Sequence, residues 1–131
     1  MSYRWVEHTA ELELCIEAAN EAAVFEDALR ALGELFADGL SGAAVARDVD
    51  VTACDRAALL GRWLEELVFL AETEDLVSER TTAFELAAGR LSASVEGRRG
   101  EPRHLVKGVT YHRLAFEPCA DGYRATVVLD V

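Results

Sequence analysis

Carboxylates, imidazoles and a lysine stand on strand-like runs in three places far apart in the chain. These are Glu7-His8-Thr9-Ala10-Glu11 near the start, Val106-Lys107-Gly108-Val109-Thr110-Tyr111-His112 further on, and Val127-Val128-Leu129-Asp130-Val131 at the close. Glu11 and Asp130, with the α-carboxylate of Val131 beside them, would make a hard oxygen site suited to Ca²⁺ or Mg²⁺. No cysteine accompanies them, which disfavours a soft metal. The alternative is that Glu11 and Asp130 are ordinary solvent-facing strand residues. Asp130 interrupts an apolar strand, where a carboxylate costs free energy unless it is paired or coordinated. Lys107 is the matching oddity: it could pair with Asp130 or Glu11, hold an anionic group of a partner, or simply guard a strand edge against aggregation. His8 and His112 could carry protons near neutral pH. Yet HExxH, nucleophile-elbow, P-loop and GxGxxG patterns are all absent, so packed or hydrogen-bonded histidines are the simpler reading.

Only a sheet can bring such runs together. Tyr3 to His8 reads as a short strand, and Leu12, Leu14 and Ile16 alternate with Glu11, Glu13, Cys15 and Glu17 as a half-buried strand does. Asn20 offers an N-cap to a first helix with Val24, Phe25, Ala28, Leu29, Leu32, Leu35 and Phe36 on one face, ended by Gly39 after Asp38. Val45, Val49 and Val51 mark a third strand. Asp55 caps a second helix whose stripe is Leu59, Leu60, Trp63, Leu64, Leu67, Val68 and Ala71. Thr81 to Ala88 and Leu91 to Val95 flank a turn at Ala88-Gly89, and Val106 to Glu117 and Tyr123 to Val131 flank Asp121-Gly122. Between these hairpins, Gly97-Arg98-Arg99-Gly100-Glu101-Pro102-Arg103 reads as a basic, flexible loop. The order predicts an α+β fold, residues 1–131 forming a single domain with two amphipathic helices packed on a largely antiparallel sheet.

The totals narrow the function classes. A chain of 131 residues with 51% hydrophobic residues can fill one core. No apolar run reaches the roughly 20 residues of a membrane helix, and no secretion signal opens the chain, so a cytoplasmic protein is expected. The net charge of −11 opposes direct binding to nucleic acid and suits a basic protein partner, a metal cation or solubility. Cys15, Cys54 and Cys119 lack CxxC spacing; Cys15 and Cys54 are expected to be small buried hydrophobes.

Glu7-His8-Thr9-Ala10-Glu11 resembles the N-terminal motif of the archease family, with glutamate where archeases usually carry aspartate. Val106-Lys107-Gly108-Val109-Thr110-Tyr111-His112 is similar to the family's Val-Lys-Ala-Val-Thr-Tyr-His block, and Val128-Leu129-Asp130-Val131 to its C-terminal ending. Leu59 to Leu67 resembles its second helix. The resemblance implies an α+β protein built on a strand-helix-strand-strand module. It also implies a non-catalytic accessory of the GTP-dependent tRNA-splicing RNA ligase, promoting guanylylation of the ligase and its multiple turnover in tRNA splicing or RNA repair. A divalent cation, calcium first and magnesium or manganese second, would be held by Glu11, Asp130 and a main-chain or terminal oxygen of Val131. The extra methylene of Glu11 would shift or loosen that site. Lys107 would act on the ligase or its nucleotide, with His8 and His112 in the same functional set, and RNA would be met only through the ligase. Two further readings stand beside this one: a chaperone-like interaction module for nucleic-acid-processing proteins, and a metal-dependent hydrolase using Glu11, Asp130 and His112.

Overall fold

In the computed structural model, which describes residues 2–37, 42–100 and 106–131, the chain opens with a hairpin. Strands β1 (Ser2–His8) and β2 (Glu11–Ala18) pair antiparallel through Thr9-Ala10, and Ala10 takes the left-handed conformation at φ 59°. Along β2 the alternation resolves as expected: Leu14 and Ile16 are fully buried, while Glu11, Glu13, Cys15 and Glu17 share the opposite face.

Both helices start where their capping residues predict. Helix α1 (Glu21–Phe36) begins after Asn20, whose side chain accepts from the Ala23 amide at 2.9 Å. The stop expected at Gly39 after Asp38 lies outside the described residues. After strand β3 (Ala44–Thr52), helix α2 (Arg56–Glu74) begins after Asp55, which accepts from the Ala58 amide at 2.8 Å. Strands β4 (Leu76–Ala87), β5 (Arg90–Arg99), β6 (Gly108–Cys119) and β7 (Gly122–Asp130) follow as two hairpins.

The seven strands form two antiparallel sheets, ordered β1-β2-β7-β6 and β3-β5-β4. The sequence pattern predicts one sheet; two arise because the helices are buried over wide arcs. Helix α2 buries Leu59, Leu60, Gly61, Trp63, Leu64, Leu67, Val68, Leu70 and Ala71, more than one narrow stripe, and so has surface for both sheets. Phe25 of α1 makes the link visible. Its ring lies 6.2 Å from Phe84 of β4 and 5.7 Å from Phe116 of β6, one in each sheet. Trp63 stacks edge-on against Phe84 at 6.3 Å and donates its indole N–H to the Phe25 carbonyl at 2.9 Å. One continuous core results.

Three expectations are corrected. Strand β4 begins at Leu76, ahead of Thr81, because two register shifts between Ser78 and Ala83 break the alternation that would reveal it. Gly97, Arg98 and Arg99 belong to β5 and are not a loop. A Cβ at Gly97 would collide with the Val77 carbonyl oxygen, so this glycine serves close strand approach rather than flexibility. Arg99 donates to the Glu74 carbonyl at 2.9 Å, and Arg98 lies 3.5 Å from Glu79; Glu101, Pro102 and Arg103 fall outside the described residues. Cys54 is exposed and Cys15 half-buried, since Cys54 precedes the α2 cap and Cys15 lies on the outward face of β2.

Candidate functional site

The open end of the four-stranded sheet gathers the three segments. Glu11 of β2 and Asp130 of β7 are direct cross-strand partners, so their side chains leave the sheet on the same face. His8 pairs with Glu11 on one side, and Gly108 pairs with Asp130 on the other. The main chain ties the ends down: the Lys107 amide donates to the Asp130 carbonyl at 2.7 Å, and the Val131 amide donates to the Ala10 carbonyl at 3.1 Å. Val131 is thus held against the β1–β2 turn, next to Glu11. This face is turned away from the helices, and Asp130, Lys107 and His8 are exposed on it or at its rim.

The side chains then sort unequally. His8 Nε2 donates to Glu13 Oε1 at 3.0 Å, one rung in from Glu11. Lys107 forms no ion pair with Asp130 or Glu11 among the described residues; the pairing expected for it is instead made by Arg113. The Arg113 guanidinium lies 3.5 Å from Glu11 and 3.3 Å from Glu13. His112 carries its imidazole into solvent, with its amide donating to the Thr110 hydroxyl at 3.2 Å.

Arg113 and Glu13 are the residues a reading of the sequence passes over. Register explains how Arg113 arrives. Thr110 of β6 faces Val128 and Ala115 faces Thr126, so Tyr111, His112, Arg113 and Leu114 stand opposite Val127 alone. Within this bulge Arg113 adopts φ 61°, a conformation unfavourable for a residue with a Cβ. Since β7 lies between β6 and β2, the arginine reaches across β7 to the two glutamates. Val128, which shares that face as the cross-strand partner of Glu13, is fully buried. The signal in the sequence is the lost alternation of Tyr111-His112-Arg113-Leu114.

A second contact fixes the bulge. The Tyr111 hydroxyl donates to Glu65 Oε1 of α2 at 2.5 Å, and its ring lies over Gly61, with ring atoms 3.1 Å from where a Cβ would stand. Burial, and then the hydrogen bond to Glu65, push the Tyr111 phenol up to about 12.

Two adjacent carboxylates and a main-chain oxygen have the hard-donor chemistry that Ca²⁺ or Mg²⁺ accepts. Among the described residues, no group of three or more His, Cys, Asp or Glu side chains is placed to hold a metal ion. A cation at Glu11 and Asp130 would therefore complete its coordination with main-chain oxygens and water.

A sequence profile of the Archease protein family matches residues 3–131 of this chain. The chain belongs to the archease family. Protein archease of Archaeoglobus fulgidus is 32% identical over an alignment that covers 100% of both chains. Protein archease of Methanosarcina acetivorans is 31% identical, covering 98% of this chain and 95% of the relative. The solution structure of Methanobacterium thermoautotrophicum protein 1598 superposes with a TM-score of 0.76 at 27% identity, over 98% of each chain. A crystal structure from Thermotoga maritima, described as an archease and "possible chaperone", shares the fold with a TM-score of 0.71 at 20% identity, over 96% of this chain and 94% of that one. The α+β fold expected of an archease is the fold observed, and its outward sheet end carries three of the four segments on which the resemblance rests, the fourth lying in α2.

Proposed function

We propose that this archease is a non-catalytic activator of the GTP-dependent tRNA-splicing RNA ligase, promoting guanylylation of the ligase and repeated turnover in tRNA splicing or RNA repair. The observation that carries the reading is the meeting of Glu11, Asp130 and the Lys107 backbone at one exposed sheet end. Segments more than a hundred residues apart in sequence are held there by main-chain bonds, with Asp130, Lys107 and His8 exposed. Such an end suits docking into the mouth of another enzyme. Lys107, exposed beside it, would meet phosphate groups of the ligase-bound nucleotide. Phosphoryl transfer depends mainly on positioning and charge stabilisation, which an accessory protein can supply.

Glu11, Asp130 and the main-chain oxygen of Val131 would hold the divalent cation, calcium by preference. Its chemistry there would be to neutralise the paired carboxylates and present positive charge to an anionic group. The net charge of −11 supports a basic protein partner over direct RNA contact.

The test is multiple-turnover joining of RNA with 2′,3′-cyclic phosphate and 5′-hydroxyl ends by the cognate ligase with GTP, using substoichiometric archease. Asp130→Ala and Lys107→Ala are each expected to lose about tenfold or more of the stimulation, some 1.4 kcal/mol of barrier lowering. Full stimulation by both variants would overturn the proposal. It would favour the chaperone-like interaction module, the reading closest to the description of the Thermotoga maritima structure.

A further inference from the structure

We infer that Arg113 is a built-in rival of the divalent cation: its guanidinium and the metal compete for Glu11. This rests on the proposed reading of Glu11 and Asp130 as cation ligands. The placement of Arg113 stands independently of that reading, because a register shift and a strained backbone accompany it. Strand β6 departs from its register with β7 between Thr110 and Ala115, and Arg113 accepts φ 61° within that departure. Tyr111 pins the bulge to α2 through Glu65, and Gly61 leaves the space its ring needs. From there the guanidinium crosses β7 and reaches Glu11 at 3.5 Å and Glu13 at 3.3 Å.

An arginine held this way supplies positive charge to Glu11 without any ligand. A divalent cation bound to Glu11 and Asp130 would repel it at close range, so the two states exclude each other. Glu13 gives the displaced guanidinium a second acceptor, and its own grip on His8 Nε2 shows that it can be shared. Cation binding would thereby move Arg113 off Glu11 while leaving the bulge anchored at Tyr111.

Calcium titration of the full chain by calorimetry tests this, with wild type, Arg113→Met, Arg113→Gly and Arg4→Met compared under identical salt. Arg113→Met keeps an aliphatic stem of similar reach, whereas Arg113→Gly relieves the positive φ, so at least one variant should retain the fold. Both are expected to bind calcium about fivefold more tightly, the fold-change that a surface ion pair of roughly 1 kcal/mol represents. Arg4 lies opposite Cys15 on the same face, two rungs from Glu11, and its removal should change affinity less than about twofold if direct contact is what matters. In wild type, the Arg113 Nε–H signal in nuclear magnetic resonance spectra should move on saturation with calcium. Equal affinity of wild type and both Arg113 variants would overturn the inference and leave the cation reading standing. Equal tightening by Arg4→Met would also overturn it, in favour of general charge. Absence of calcium binding at millimolar concentration in all four proteins would overturn the cation reading and the rivalry with it.

Discussion

Asp27 is a carboxylate taken out of water on the buried side of α1. It is 5% exposed; one oxygen accepts from Arg30 at 3.2 Å, and the other has no hydrogen-bond partner among the described residues. Burial raises its pKa above the ordinary 3.8, with Arg30 opposing the rise. The folded state therefore holds this proton more firmly than the unfolded chain does. The stability linked to Asp27 is fully present below about pH 3.8 and is lost as pH rises through the raised folded value. Asp27→Asn is expected to raise the melting temperature at pH 7 by about 4 °C, roughly 1 kcal/mol, and to give no gain below pH 3.8. Thermal unfolding at both pH values checks this. Nothing in the local pattern marks Asp27, because its polar type suggests the wet side of a one-faced helix. It is buried because α1 packs against β2 on one side and β4 on the other. Asp130 is different: its oddity within the apolar run Val127-Val128-Leu129 is local and was legible. Arg113 was not, since its partners lie on a strand two places away in the sheet.

Elements whose determinants are local follow from the sequence alone. Asn20 and Asp55 each bond the amide three residues on, and both helices start where those side chains are. Asp55→Ala is expected to cost about 1 kcal/mol and lower the melting temperature by about 4 °C, measured by the same unfolding. Elements shaped by distant contacts are harder to read. The bulge of β6 seats Tyr111 on Gly61 as it carries Arg113 toward β2, and Gly61 by itself looks like a weak spot in a helix, about 1 kcal/mol worse than alanine. Gly97 likewise reads as a loop residue until Val77 is found beside it. In each case a glycine that suggests freedom records instead a neighbour at close range.

For the molecule as a whole, the acidic excess is spread over surfaces of both sheets and both helices. Element order was fully legible, yet the division into two sheets was not, because pairing between strands depends on which face of each helix they cover. Ion pairs thread the surface, Arg47 with Glu74 at 2.8 Å and Arg90 with Asp50 at 2.7 Å among them, but with 24 acidic and 13 basic residues the net −11 leaves eleven acids that no lysine or arginine can balance. That field should steer a basic partner. Association with the proposed ligase partner is expected to slow by about tenfold between 50 mM and 500 mM salt, with little change in dissociation, as stopped-flow mixing would report.

Lys107 is the sole lysine of the chain; every other basic side chain is arginine or histidine. It is exposed, and its backbone is fastened to Asp130. The protein therefore carries one ε-amine, and that amine stands at the sheet end on which the functional reading depends. Any amine-directed reagent, whether a fluorophore, a cross-linker or an acetyl donor, will find its side-chain target there and nowhere else. A chemical handle that must be engineered into most proteins is already in place at this one's sheet end.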